Sequence, residues 1–179
     1  MRGSGIHDKA EQYLLGKIPM YPPELQRVAP HAMGLKRLKA QPEVKLGVTV
    51  NWEPCDYKAP EAYLRGIIDI LYEDTDGVHV EDWKTGQVYA SHAGQMETYT
   101  AIVAAHYPKA AGYVTRLVYI DQGLVTAPKR VEVDRVKPIR MLLDGRIKNA
   151  EEDTIFPTKP GKACQWCDYS KRYGGPCQY

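Results

Sequence analysis

The chain has 179 residues, of which 44% are apolar and 26% charged, and its formal net charge is +2. These values are typical of globular domains and argue against an intrinsically disordered chain. No apolar run approaches a membrane span and no secretory leader is recognisable, so we expect a cytoplasmic protein without a membrane partner. The length predicts a single domain over residues 1–179, with a cysteine-containing tail from about residue 157.

Hydrophobic periodicity predicts the elements in chain order. Helical spacing predicts helices over residues 6–15, from residue 23 with a break at Pro30, over 91–106 and over 134–150. Alternation predicts strands over residues 44–52, 64–72, 78–85, 112–120 and 126–133. The residues expected on the inward faces include Leu38, Val50, Trp52 and Leu142. Together these elements predict an α/β fold with a mixed central β-sheet flanked by helices.

Two of the predicted strands form a hairpin in which two acids meet. The segment Asp74-Thr75-Asp76-Gly77 is a turn signal between runs rich in Ile, Leu, Val and Tyr. A turn centred on its two middle residues places Asp69 directly opposite Asp82, with Cβ atoms about 4.5–5.5 Å apart. Such carboxylates repel each other unless a cation lies between them, and Mg²⁺ or Mn²⁺ prefers oxygen ligands of this kind. A glycine bulge at Gly77 would instead turn the two acids to opposite faces.

Side-chain parity selects the acid that accompanies Lys84. Successive side chains of a strand alternate between its two faces, so Asp82 and Lys84 share one face while Glu81 and Trp83 share the other. We therefore expect Asp82, rather than Glu81, beside the lysine.

Five short segments follow one another in an order that is more informative than any of them alone. They are His7 followed by Glu11, Glu43 at the head of the first strand, Gly66-x-x-Asp69, Asp82-x-Lys84-Thr85-Gly86, and Gln95-x-x-x-Tyr99, whose two residues share a helix face. The ordered set resembles the RecB-like exonuclease branch of the PD-(D/E)XK nuclease superfamily, found in phages and bacteria. The resemblance implies a restriction-endonuclease-like core and Mg²⁺- or Mn²⁺-dependent hydrolysis of DNA.

The resemblance also implies a set of metal ligands. Asp69 and Asp82 would bind the catalytic metal, and His7 and the Trp83 backbone carbonyl would complete its shell. An imidazole among carboxylates suits Mn²⁺ well and Mg²⁺ acceptably. A divalent cation held in this way activates water for attack on phosphorus.

Four further residues receive roles from the same resemblance. Lys84 would position the nucleophile and offset charge that develops on the phosphate. Gln95 would orient the site, and Tyr99 would contact the nucleic-acid backbone. Glu43 would hold either a second metal or Lys84.

The implied activity is that of an exonuclease or single-strand nuclease that leaves 5′-phosphate ends during recombination, repair or phage DNA processing. Its partners would be single-stranded DNA or duplex ends, together with a homo-oligomer or a helicase or recombinase. We expect it in the cytoplasm of a bacterium or of a phage-infected host. Two alternatives stay open: a catalytically silent module that binds DNA or a partner on the same fold, and a trimming nuclease of the CRISPR-adaptation type.

The tail carries Cys164, Cys167 and Cys177 in the spacing C-x2-C-x9-C. This spacing resembles the C-terminal part of the iron–sulfur signature of CRISPR adaptation nucleases, whose first cysteine lies upstream of the histidine motif. No cysteine precedes His7, and Cys55 is the remaining thiol. A [4Fe–4S] cluster would therefore need Cys55 or a segment outside this sequence, and Zn²⁺ or a metal-free tail are the alternatives.

Overall fold

The computed structural model describes residues 2–89, 92–155 and 160–178. The α-helices of these residues are α1 (Arg2–Leu14), α2 (Ala29–Arg37), α3 (His92–His106) and α4 (Val133–Glu151). The strands are β1 (Gln41–Val48), β2 (Pro54–Cys55), β3 (Leu64–Asp74), β4 (Gly77–Lys84), β5 (Tyr113–Tyr119), β6 (Leu124–Val125) and β7 (Lys129–Val131). Short 3₁₀ helices span Pro23–Val28, Lys162–Trp166 and Lys171–Tyr173. The first residue of the predicted helix 91–106 and part of the tail lie outside the described residues.

These strands join one sheet in the order β2-β1-β3-β4-β5-β6, and β7 also pairs with β5. β4 and β5 run parallel, while the other pairs are antiparallel. A parallel pair needs a crossover connection, and α3 lies within the one between β4 and β5. The predicted α/β fold with a mixed sheet flanked by helices is confirmed.

The two faces of the sheet are buried under different helices. The apolar stripes of α1 and α2, and the 3₁₀ helix before α2, pack against one face around Ile70, Trp83, Val118 and Ile120. The largely buried α3 packs against the other face around Leu46, Val48, Val78 and Val80. Each face therefore has its own core, and β3 and β4 contribute to both.

The hairpin of β3 and β4 has the predicted register. Five consecutive pairs run from Asp74–Gly77 to Ile70–Glu81, which leaves no bulge at Gly77 in this hairpin. The ladder ends at Ile70–Glu81, so the predicted direct pair of Asp69 with Asp82 does not form. Asp69 reaches β4 through its side chain instead, which accepts the N–H of Trp83.

β3 changes face at Asp69. Side chains two positions apart on a regular strand share a face, yet Ile68 packs in the core under α3 and Ile70 in the core under α1 and α2. The ladder between β1 and β3 also skips this position, because the pairs Pro42–Ile70 and Val44–Ile68 enclose Glu43 and Asp69 without including them. The two acids thus lie at a local break in the sheet.

The first strand is shorter than predicted. β1 ends at Val48, because Thr49 and Trp52 close a turn in which the N–H of Trp52 donates to the Thr49 carbonyl. Val50 is 64% exposed, so its predicted inward position is wrong, whereas Trp52, which has a φ of 60°, is partly buried and still packs against the core under α3.

Two other inward predictions are wrong. Leu38 is 54% exposed, because α2 ends at Arg37 and the chain turns at Lys39, which has a φ of 55°. Leu142 is 50% exposed, while Val136 and Leu143, seven residues apart, form the buried stripe of α4. Two short strands replace the predicted strand 126–133: β6 ends just before this range, and β7 lies within it.

The chain divides into two compact units, one up to Asp144 and one from Gly145 onward. A single domain over residues 1–179 therefore stays a prediction. In the second unit, backbone hydrogen bonds join Cys167 to Cys164 and Cys177 to Tyr169, and the Cys164 Sγ accepts the N–H of Gly161. None of the helices in the described ranges is long and apolar enough to cross a membrane.

Candidate metal centre

Three side chains from three different elements converge at the break in the sheet. His7 of α1, Glu43 of β1 and Asp69 of β3 bring one potential ligand atom each within 4.8 Å of the others. The His7 Nδ1 lies 3.5 Å from the Asp69 Oδ1 and 3.9 Å from the Glu43 Oε1. Within the described ranges, this is the single group of three or more His, Cys, Asp or Glu residues that meets this distance.

Glu43 has an unusual backbone that explains its place in the group. Its φ is 52°, in the left-handed region, although it lies inside a strand and is not a glycine. Such a conformation costs about 1–3 kcal/mol and is found most often at functional sites. The strained residue lies at the gap in the ladder opposite Asp69, so the regular pairing of β1 and β3 is interrupted where the two acids meet.

The Asp69 carboxylate is divided between two neighbours. Its Oδ2 accepts the backbone N–H of Trp83 at 2.6 Å, and its Oδ1 faces His7. The hydrogen bond from β4 fixes the carboxylate in place because the backbone donor cannot rotate away. One oxygen is thereby held by the fold and the other is directed toward the ligand group.

Gly66 allows α3 to lie close to β3 near these acids. A Cβ at Gly66 would lie 3.2 Å from the Ile102 Cδ1 and 3.3 Å from the ring of Tyr99. The glycine of the Gly66-x-x-Asp69 segment is thus explained by packing, and it sets the distance between the strand that carries Asp69 and the helix that carries Tyr99.

A chain of polar contacts leads from Asp82 to α3. The Lys84 Nζ lies 2.7 Å from the Asp82 Oδ2 and donates to the Gln95 Oε1 at 2.8 Å. The Gln95 Nε2 in turn donates to the Tyr99 hydroxyl oxygen at 2.7 Å. Because an ammonium group only donates hydrogen bonds, the lysine fixes which end of the Gln95 amide faces it.

Burial and the charge of Asp69 raise the pKa of two acids of the site. Burial raises the pKa of Asp82 from 3.8 to about 6, and the charge of Asp69 adds to the shift while Lys84 opposes it. Burial and then Asp69 raise the pKa of Glu43. The hydrogen-bonding interaction with Asp69 raises the pKa of His7 above 6.5, although burial opposes it. Lys84 alone therefore does not neutralise the group.

The donor set fits a divalent cation. Carboxylate oxygens with one imidazole suit Mn²⁺ and Mg²⁺, and a doubly charged ion would relieve the repulsion that raises these pKa values. A cavity of about 10 Å³ lies among these groups and is lined by His7, Glu11, Glu43, Asp69, Trp83 and neighbouring apolar residues. A space of this size is enough for about one water molecule.

The structure brings together most of the residues that the sequence singled out. The ligand group consists of His7, Glu43 and Asp69. The hydrogen bonds beside it link Lys84, Gln95 and Tyr99. Asp82 lies outside the 4.8 Å group because its carboxylate faces Lys84, although its charge still acts on His7. The roles of these residues, and that of the Trp83 carbonyl, stay predictions.

The four cysteines are divided between the two units. Cys55 lies on β2 of the first unit, while Cys164, Cys167 and Cys177 belong to the second. The three tail cysteines do not form a group within 4.8 Å, and all four are free thiols. An iron–sulfur cluster or Zn²⁺ at these residues stays a prediction.

Sequence reasoning missed a second ionic network on the opposite face of β4. Glu81 is 1% exposed and lies 2.7 Å from the His31 Nε2 and 3.0 Å from the Arg116 guanidinium. The Tyr72 hydroxyl is 3.5 Å from the same carboxylate. Strand parity placed Glu81 on this face, but its partners come from α2 and β5, and periodicity carries no signal for them.

A comparison with known protein families identifies the superfamily of the chain. A sequence model of the PD-(D/E)XK nuclease superfamily matches residues 6–172. The chain therefore belongs to the PD-(D/E)XK nuclease superfamily, and membership implies a metal-dependent nuclease. Among solved structures it is similar to one described as the crystal structure of SSO0001, with 15% identity, coverage of 88% of this chain and 73% of that chain, and a TM-score of 0.44. No curated protein matches the chain.

Proposed function

We propose that the protein is a Mg²⁺- or Mn²⁺-dependent deoxyribonuclease of the RecB-like branch, acting as an exonuclease or single-strand nuclease. The observation that supports it is the meeting of the His7–Glu43–Asp69 group with the contacts of Asp82 and Lys84 at one place. This combines ligands for a cation with a fixed ammonium group, and both supply positive charge that stabilises the transition state of phosphodiester hydrolysis.

The cation would be held by His7, Asp69, Asp82 and the Trp83 carbonyl, with Glu43 beside them or holding a second ion. When bound, it supplies positive charge to the phosphate and makes water a better nucleophile. The hydrogen bond from the Trp83 N–H keeps Asp69 oriented for this task without help from a flexible side chain.

Lys84 supplies the complementary positive charge from the protein. An ammonium has three donors, and Asp82 and Gln95 occupy two of them. The third is available to the attacking water or to a phosphate oxygen, where the charge offsets the negative charge of the transition state. Attack breaks the bond from phosphorus to the 3′ oxygen, so the products carry a 5′-phosphate and a 3′-hydroxyl.

Tyr99 is suited to hold the phosphate backbone. Its oxygen accepts the hydrogen bond from Gln95, so its own O–H proton is free to donate to a phosphate oxygen. Burial raises the pKa of Tyr99 to about 12, which keeps the hydroxyl protonated at neutral pH. Gln95 thus couples the position of this donor to that of Lys84.

The wider role that we propose is processing of single strands or duplex ends in recombination, repair or phage DNA metabolism. The support for this role is the order of the motifs, which is that of RecB-like nucleases. A helicase, a recombinase or further copies of the chain would deliver the substrate.

The test is cleavage of end-labelled single-stranded and duplex DNA by wild-type protein and by Lys84→Ala and Asp82→Ala. We expect wild-type cleavage with Mn²⁺ or Mg²⁺, none with chelator, and a loss of at least about a thousandfold in both variants. Lys148→Ala and Asp134→Ala, at exposed positions on α4, are the matched controls and should cleave normally.

Undiminished cleavage by Lys84→Ala, with a folded variant, would falsify the assignment. Retention of DNA by the wild type without cleavage under any divalent cation would identify the silent binding module instead. The end groups of the products, read by ligation or by phosphatase treatment, test the proposed 5′-phosphate separately.

A further inference from the structure

Three aromatic side chains form a cluster at the ends of β4 and β5, outside the ligand group. The rings of Tyr89 and His92 meet edge to face, with centroids 5.5 Å apart and planes at 82°. His92 stacks on Tyr119 with a centroid distance of 5.7 Å, and its Nδ1 lies 3.1 Å from the Tyr119 hydroxyl. Tyr119 is 2% exposed, so it anchors the cluster in the fold.

The cluster borders the proposed catalytic lysine. Tyr119 is the direct partner of Lys84 in the parallel ladder of β4 and β5. Adjacent strands are about 4.8 Å apart, and the charge of Lys84 is felt at the imidazole of His92, whose pKa is lowered first by burial and then by this lysine. A ligand that contacts Lys84 through a phosphate would therefore have its next group near these rings.

The outer ring of the cluster is open to a ligand. Tyr89 is 56% exposed, and its hydroxyl contacts Gln87 at 3.5 Å, so much of the ring is accessible. The three rings form a continuous row, since His92 contacts both the buried Tyr119 and the exposed Tyr89. More than half of the Tyr89 side chain is therefore accessible to a ligand.

We propose that Tyr89 and His92 form a stacking platform for an unpaired base of the substrate strand, next to the scissile phosphate. The inference rests on the proposed nuclease function and specifies its substrate. Within a duplex both faces of each base are covered by neighbouring bases, so only an unpaired or terminal base offers a face to Tyr89. The platform would thus favour single strands and frayed ends over continuous duplex.

The experiment measures the affinity of Tyr89→Ala for a fluorescein-labelled single-stranded oligonucleotide and for a relaxed, covalently closed circular duplex, which has no terminal base, with Ca²⁺ in place of the catalytic ion. We expect single-strand affinity to fall about tenfold, the usual effect of removing one stacking partner, and duplex affinity to stay within about twofold of the wild type. Tyr89→Phe keeps the ring and should bind normally. Tyr21→Ala, at an exposed tyrosine in a loop, is the matched control.

A second arm locates the base. Abasic sites are placed one at a time along the single strand, and one position should weaken wild-type binding as much as Tyr89→Ala does, with no further loss when the two changes are combined. Equal losses for single strand and duplex, or an abasic scan without such a position, overturn the platform.

A parallel cleavage assay separates this inference from the proposed function. If the wild type cleaves DNA while Tyr89→Ala binds both substrates normally, the result contradicts the stacking platform and supports the nuclease function. If the wild type neither binds nor cleaves DNA, the result contradicts both proposals. A folded His92→Ala variant should show the same single-strand-specific loss as Tyr89→Ala, because it removes the support of the outer ring.

Discussion

Glu81 and Asp82 are neighbours on β4, both are almost completely buried, and yet their surroundings are opposite in kind. Glu81 faces the side of α1 and α2, where His31, Arg116 and the Tyr72 hydroxyl surround its carboxylate. Asp82 faces the other side, where the Lys84 ammonium lies 2.7 Å from its carboxylate and Asp69 adds negative charge. One strand thus presents a neutralised acid to one core and an under-neutralised acid to the other.

The difference separates a structural carboxylate from one suited to a ligand. A buried charge is tolerated when partners and hydrogen bonds compensate its lost hydration, which is the case for Glu81. A buried acid beside other acids has a raised pKa and an unmet demand for positive charge, which is the case for Asp82. Burial alone, at 1% and 2% exposure, would not distinguish the two residues.

The largest effect on stability should come from the neutralised side. Glu81→Ala leaves Arg116 and His31 without their counter-charge, and removing one partner of a buried ion pair costs about 4 kcal/mol. Urea unfolding measures the loss. Glu132→Ala removes an exposed partner of Arg130 and should cost less than about 1 kcal/mol. A cost for Glu81→Ala as small as that of the control would contradict the assigned structural role.

The next effect is a pH dependence that belongs to Asp82. Its pKa is raised in the folded protein from 3.8 to about 6, so the folded state binds the proton more tightly and stability is lost as pH rises through this interval. Asp82→Asn mimics the protonated acid. In chelator, the variant should match the wild type below pH 3.8 and exceed it by up to about 3 kcal/mol above pH 6. Unfolding curves that stay parallel over this range would contradict the prediction.

A divalent cation should stabilise the ligand group and leave the Glu81 network unchanged. Mn²⁺ at about 100-fold above its dissociation constant should add about 2.7 kcal/mol to wild-type stability, seen as a higher Tm that chelator reverses. His7→Ala and Asp69→Asn should lose this response, since both belong to the ligand group. His31→Ala, which alters the Glu81 network, should lower the starting Tm and keep the response to Mn²⁺. If His31→Ala lost the rise in Tm with Mn²⁺, the ligand group and the Glu81 network would not be independent.

Local sequence patterns predicted one part of this arrangement. The hairpin register followed from the turn Asp74–Gly77, and strand parity placed Asp82 beside Lys84 because both rules act between near neighbours in the chain. The alternation of β1 failed after Val48, where a tertiary turn overrides an apolar pattern that continues to Trp52.

The remainder depends on contacts that no local pattern contains. His31 and Arg116 lie 50 and 35 residues from Glu81 in sequence, so their pairing emerges only when α2 and β5 dock on β4. The left-handed backbone of Glu43 and the change of face between Ile68 and Ile70 arise where three strands meet at once. Motif order could point to Glu43 as a candidate, but it could not reveal the strain that brings it to His7.

The smallest effects come from two tyrosines that share a property and differ in place. Burial raises the pKa of both Tyr72 and Tyr99 to about 12. The Tyr99 oxygen accepts a strong hydrogen bond from Gln95, whereas the Tyr72 hydroxyl is at the limit of bonding distance from Glu81. Tyr99→Phe should therefore lower the cleavage rate about tenfold, or about 1.4 kcal/mol, at nearly unchanged stability.

Tyr72→Phe should do the reverse: it should lower stability by less than about 1 kcal/mol and leave cleavage unchanged. Single-turnover cleavage and urea unfolding of both variants provide the four values needed. If Tyr72→Phe impaired cleavage as much as Tyr99→Phe, the network around Glu81 would have to act on the reaction, and the two faces of β4 would not be independent. If neither variant impaired cleavage, the hydroxyl of Tyr99 would have no part in holding the phosphate, and Gln95 would serve only to position Lys84.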